Sequence, residues 1–180
     1  YKHTDIIINT IFMKQILIFI LFLALLGCGD IIKKKQTSVD FNCPRVFFSS
    51  EDRIYIDNSN SVDDVQIKAE FNNFAFNSNC RQLENTAIIP LDILIVSKPM
   101  NNRKESSLSF PIYISLLDDN DKIIETQYFL ISGEMNKNAE TNSLIDTDIS
   151  DRLEIVTSSL GISQIVIGFM LDDKKKDLLN

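Results

Sequence analysis

Val65-Gln66-Ile67-Lys68-Ala69-Glu70-Phe71 is the stretch on which the fold turns. Val, Ile, Ala and Phe occupy every second position, with Gln, Lys and Glu between them. A period of two puts one set of side chains on each face of an extended strand. Phe74 and Phe76 resume the alternation after a step at Asn72-Asn73, where a β-bulge is expected.

The same texture runs outward from this strand. Arg53-Ile54-Tyr55-Ile56 reads as a short strand. Ala87 to Val96 is nearly all apolar, as in a strand covered on both faces, and Pro90 within it predicts an edge or an interruption there. Leu108–Leu117 and Lys122–Ile131 flank Asp118-Asp119-Asn120-Asp121, four turn formers between two β runs, which predicts a hairpin. Met135–Asn142 is polar and reads as loop. Ile149–Val156 and Gln164–Leu171 read as two more strands. Asp172–Leu179, with an acidic start, Lys174-Lys175-Lys176 and then Leu178 and Leu179, predicts a short terminal helix.

This makes about seven or eight strands and no long amphipathic helix. Parallel sheets need crossover helices, and none is available. The expected fold is all-β: an antiparallel, immunoglobulin-like β-sandwich spanning residues 43–180, with a small barrel as the alternative.

A different kind of segment precedes the sandwich. Met13 to Asp30 reads M-K-Q-I-L-I-F-I-L-F-L-A-L-L-G-C-G-D. Lys14 supplies a positive start, Ile16–Leu26 a short apolar run, and Leu25-Leu26-Gly27-Cys28 replaces an ordinary small-residue cleavage site. The run falls short of the roughly 20 residues that a membrane span requires. The motif resembles the lipobox of bacterial lipoprotein signals, in which diacylglycerol is joined to the cysteine sulfur and the chain is cut just before it. That resemblance implies signal-peptidase recognition at Leu25, Leu26 and Gly27, lipidation at Cys28, and attachment to the cell envelope. Residues 1–12 read as upstream frame ahead of a start at Met13, and residues 1–27 as removed. Residues 28–42, polar and aperiodic with Lys33-Lys34-Lys35, read as a flexible tether. Gly29 after the modified cysteine resembles the sorting pattern for the outer membrane.

Composition then excludes whole classes of chemistry. Cleavage before Cys28 leaves 153 of the 180 residues, enough for one domain. Lys2, Lys14 and Asp5 leave with the leader, so 16 basic and 24 acidic residues remain, a net charge of −8. That sign opposes nucleic-acid binding and polybasic docking to anionic lipid. The only histidine is His3, and the protein has no Trp. A mature chain without His has no Ser-His-Asp or Cys-His nucleophile system and no His-ligated metal. The few glycines form no phosphate-cradling loop. No cofactor is expected beyond the acyl lipid. The remaining two cysteines, Cys43 and Cys80, are expected to pair in an oxidising compartment, the other reading being two buried thiols. The pair is expected to tie the segment ahead of the first strand to the loop after Phe76.

In order, Cys43-Pro44-Arg45-Val46, Asp64-Val65 with Ala69-Glu70-Phe71, Cys80-Arg81, Phe110-Pro111-Ile112-Tyr113 and Ile165-Val166-Ile167-Gly168-Phe169 resemble a group of uncharacterised alphaproteobacterial lipoproteins. The resemblance implies a two-cysteine β domain on a lipid anchor and no activity.

Few residues suggest chemistry. Asp118, Asp119 and Asp121 have the hard oxygens that Ca²⁺ prefers, but hairpin tips use the same residues for their geometry. Asp146-Thr147-Asp148 opens like an EF-hand loop, yet Asp151 stands where Gly is required and Thr157 where Glu is, so the segment reads as loop. Phe47, Phe48, Phe71, Phe74, Phe76, Phe110 and Phe129 read as core rather than a ligand groove. Lys174–Lys176 reads as a solvated helix face. Two functions are therefore expected in order: a non-enzymatic envelope module that contacts a protein partner, and a carboxylate-based glycan hydrolase of the cell wall. The first predicts an exposed apolar face or edge. The second predicts a carboxyl group pushed upward in a deep pocket.

Overall fold

A computed structural model describes residues 38–57, 61–100 and 103–179. The expected leader, with Leu25, Leu26, Gly27 and Cys28, lies outside the described residues, as does most of the expected tether.

The domain is an all-β sandwich of two sheets. In chain order the strands are β1 (Ser38–Phe41), β2 (Arg45–Phe48), β3 (Ile54–Ile56), β4 (Ile67–Ala75), β5 (Cys80–Leu83), β6 (Thr86–Pro99), β7 (Ser107–Leu117), β8 (Ile123–Glu134), β9 (Thr147–Thr157) and β10 (Gln164–Phe169). The terminal helix α1 spans Asp173–Leu179. Among the described residues no helix is long and apolar enough to cross a membrane.

The larger sheet is built on β6. One side of β6 pairs with β9 along its length; the other pairs first with β5 and then with β4. β1 extends the sheet from β5, and β3 extends it from β4. The smaller sheet runs β2-β10-β7-β8. Its β2–β10 pair is parallel, the exception among antiparallel neighbours. β2 precedes and β10 ends the sheet's other strands, so the intervening chain supplies the crossover that a parallel pair needs.

Alternation does in space what it promised in sequence. Ile67, Ala69 and Phe71 of β4 point into the core, while Lys68 and Glu70 point to solvent. Phe110, Ile112, Ile114 and Leu116 of β7 face them from the other sheet, with Ile165, Ile167 and Phe169 of β10 beside them. The rings of Phe71 and Phe169 stack at 4.0 Å between sheets, and Phe48 stacks on Phe71 at 4.9 Å. The register steps between Phe71 and Asn73, the expected bulge. Pro90 falls between the part of β6 paired with β5 and the part paired with β4, so it interrupts one ladder of a central strand.

The structure corrects several expectations. Among the described residues ten strands form where seven or eight were expected. The additions, β1, β2 and β5, have four residues each, too few to display a period. β1 begins at Ser38, so the last residues assigned to the tether pair with β5. Cys43 and Cys80 form the expected disulfide, with Cα atoms 5.2 Å apart. It joins the β1–β2 connector to the first residue of β5, not a segment ahead of all strands to a loop. β9 begins two residues before the expected strand at Ile149, taking in Thr147 and Asp148 of the segment read as loop: Thr147 and Ile149 turn inward, and Asp148 and Ser150 outward. Ala87–Val96 is covered on both faces as far as Leu91, with Ile88 and Pro90 buried on the outer side; beyond it Asp92, Leu94 and Val96 on the outer face are half-buried.

Candidate interaction face

The smaller sheet has an outer face, and strand register decides what lies on it. In one row, Phe47 of β2 is opposite Val166 of β10, then Ser115 of β7, then Thr126 of β8. In the next, Gly168 is opposite Tyr113, which is opposite Tyr128. In the third, Pro111 is opposite Leu130, and the amide of Met170 donates to the Pro111 carbonyl at 2.9 Å. Tyr128 is 66 % exposed, Leu130 63 %, Phe47 45 % and Met170 44 %. These exposed side chains thus share the outer face of the smaller sheet, Phe47 at the β2 edge and Tyr128 and Leu130 on β8, with half-buried Val166 and Tyr113 between them. Arg45 stands beside them at one end, its guanidinium 5.9 Å from the Phe47 ring centroid. Glu134 stands at the other end of β8, opposite Ser107.

The sequence reading placed Phe47 in the core with six other phenylalanines. Phe71 and Phe110 are fully buried, and Phe48, Phe74, Phe76 and Phe129 pack against the core half-buried. Phe47 is the departure: on the four-residue β2 it alternates with inward Val46 and Phe48 and so points outward. Tyr128 and Leu130 were legible as outward only once Ile131 was known to face the core.

A polar latch flanks this face. The Tyr113 hydroxyl donates to Asp52 Oδ2 at 2.7 Å, and Lys176 Nζ of α1 lies 2.8 Å from Asp52 Oδ1. Ser49 Oγ accepts from the Asp52 amide at 3.3 Å. Burial pushes the Tyr113 phenol above its ordinary pKa, and the carboxylate beside it acts in the same direction. The hydrogen bond to Asp52 raises the Lys176 ammonium. Lys174–Lys176 is therefore not simply a solvated face: Lys176 pins α1 to the β2–β3 connector, and Lys175 sits 4.9 Å from the Tyr55 ring centroid.

A second polar cluster closes the seam between β8 and β9. Glu125 accepts from the Thr157 hydroxyl, from Ser159 Oγ at 3.2 Å and from Gln127 Nε2 at 2.7 Å. Gln127 Nε2 also donates to the Val156 carbonyl at 3.0 Å. These side chains bridge the start of β8 and the end of β9, two edge strands that share no ladder, and so cover that end of both edges.

Asp92, Asp118 and Glu125 are held below their ordinary values, chiefly by the Asn77 side chain, by the Lys122 amide and by Thr157 respectively. Asp118 Oδ1 accepts from the amides of Asn120 and Lys122, which uses it in its own turn. Asp121 accepts from the Gln164 side chain. Among the described residues, one open hollow of about 280 Å³ lies over Lys68, Glu70 and Val96, and another of about 830 Å³ lies among Met100, Lys104, Lys137 and Leu144. Neither is lined by one of the three carboxylates whose ionisation is displaced.

No family model, curated protein or solved structure matches the chain.

Proposed function

We propose that this chain is a lipid-anchored protein of the cell envelope, attached through Cys28, facing the periplasm from the outer membrane, and acting by contact with a protein partner rather than by catalysis. The immunoglobulin-like assignment belongs to the same reading; two packed, largely antiparallel sheets support it. The observation that carries the reading is the exposed apolar set of Phe47, Tyr128, Leu130 and Met170 on the smaller sheet. Large apolar side chains exposed together on one sheet face mark interaction sites in folded proteins. Aromatic and Met side chains are the types enriched at interface centres, where charged residues are depleted. The partner is therefore a folded envelope protein presenting an apolar, uncharged strip. The downward-held carboxylates favour this over a glycan hydrolase, which needs a carboxyl kept protonated as its acid.

The test has two parts. Mass spectrometry of the chain recovered from its native envelope reads the group on Cys28; an unmodified cysteine rejects the anchor. A photoreactive phenylalanine replacing Tyr128 is then compared with one replacing Lys68 on the other sheet. A single adduct of defined mass from position 128, lost in Leu130→Arg and absent from position 68, supports the interface. No adduct, or the same adducts from both positions, rejects it.

A further inference from the structure

We propose that the end of the sandwich at which the chain enters β1 is a second membrane contact, seated on a neutral, zwitterionic lipid surface; this rests on lipid attachment at Cys28. Ser38 follows Cys28 by ten residues, so a fully extended connection spans at most about 35 Å. Ser38 pairs with Leu83, next to the β5–β6 turn. The end of β9 lies there too, with Thr157 opposite Ala87. So does the β7–β8 turn, because Glu125 bonds to Thr157 and the Ser163 amide donates to the Leu117 carbonyl at 2.9 Å. The β5–β6, β7–β8 and β9–β10 connections therefore share the end through which the tether enters.

That end exposes large apolar side chains that no packing requirement explains. Ile123 is 58 % exposed and Leu160 56 %, with Ile124 and Val156 also exposed. They sit on segments bonded to one another: Gln127 reaches the Val156 carbonyl, and Ser159 reaches Glu125. Val39 of β1 is 65 % exposed at the same end. Ile, Leu and Val inserted at a headgroup boundary gain the transfer free energy of their buried methylenes. So small a patch is weak alone, but a short covalent tether turns its binding into an intramolecular event at high effective concentration. The charges choose the lipid. Asp118, Asp119 and Asp121 outnumber the single Lys122 in the β7–β8 turn, so the turn is net negative and anionic headgroups repel it. Asp118 and Asp121 are engaged by backbone amides and by Gln164, which leaves neutral headgroups as the compatible surface.

The absence of Trp from the protein makes a single introduced indole a clean reporter. Full-length chain, with lipid on Cys28 verified by mass, is reconstituted into phosphatidylcholine vesicles whose acyl chains carry bromine. Leu160→Trp is expected to lose most of its emission and shift to the blue. Val62→Trp, on the exposed 3-10 turn at the opposite end, should do neither. Replacing part of the lipid with phosphatidylglycerol is expected to restore Leu160→Trp emission. A lipidated chain whose Leu160→Trp stays bright, or whose two indoles are quenched alike, overturns the membrane contact and leaves the anchor standing. An unmodified Cys28 overturns both.

Discussion

Tyr113 and Gly168 are cross-strand partners on β7 and β10, and a Cβ at residue 168 would lie 2.5 Å from the Tyr113 ring. The ring lies over the glycine because its hydroxyl is held by Asp52 on the far side of the strand pair. A glycine inside a strand otherwise weakens it, and an aromatic neighbour that covers it restores the lost contact.

Gly168→Ala is therefore expected to destabilise the domain by about 1–3 kcal/mol, because the ring must move and give up its hydrogen bond. Tyr113→Ala should remove the clash, so the double variant should lose less than the two single losses added together. Urea unfolding of the four proteins of this cycle measures the coupling.

The Asp52–Lys176 pair makes a separate prediction for α1. Asp52 is buried and receives both the Tyr113 hydroxyl and the Lys176 ammonium. Asp52→Ala should cost about 1–3 kcal/mol, since it strands the half-buried Tyr113 donor. Lys176→Met should leave the melting of the sandwich nearly unchanged while speeding amide exchange across Lys174–Leu179. Equal effects of both on global stability would contradict the latch described above.

Glu125 predicts a pH dependence. Hydrogen bonds from Thr157, Gln127 and Ser159 hold its folded pKa below the ordinary value of 4.5. A depressed folded pKa means that the unfolded chain takes up the proton first as pH falls. The stabilisation is therefore fully present above about pH 5 and is lost as pH drops through the folded value. Glu125→Gln should show a flatter stability profile below pH 5 than the parent, read by thermal melts at several pH values.

The Cys43–Cys80 bridge spans a sequence separation of 37 residues. In the chain-entropy treatment such a loop contributes about 4 kcal/mol. Reduction, or Cys80→Ala, should lower the melting temperature by roughly 10 °C for a domain of this size. A shift near zero would mean that the packing of Cys80 alone holds β5 in place.

Pattern in the chain had clear reach. The period of two in Val65–Phe71 read out as β4 with the expected inward set, because alternation is a local consequence of extended backbone. The Asp118–Asp121 turn, the bulge at Asn72-Asn73, the gap at Pro90 and the terminal helix were legible for the same reason. The pairing of Cys43 with Cys80 followed from counting. Strands of four residues were not legible, since a period needs more positions than they have.

Lateral neighbours lay beyond any local pattern. Tyr128 and Leu130 share a face with Phe47 and Met170 only because β8 lies two strands from β10 and β10 lies beside β2. Lys176 meets Asp52, more than a hundred residues earlier, through the same long-range pairing. Backbone alternation assigns each side chain to one of two faces from its own few neighbours in the chain, and so composition and period determined that this is a disulfide-bonded β domain. Which strands lie side by side depends on the burial of the whole core at once, and only the folded structure decided which outward residues form one surface.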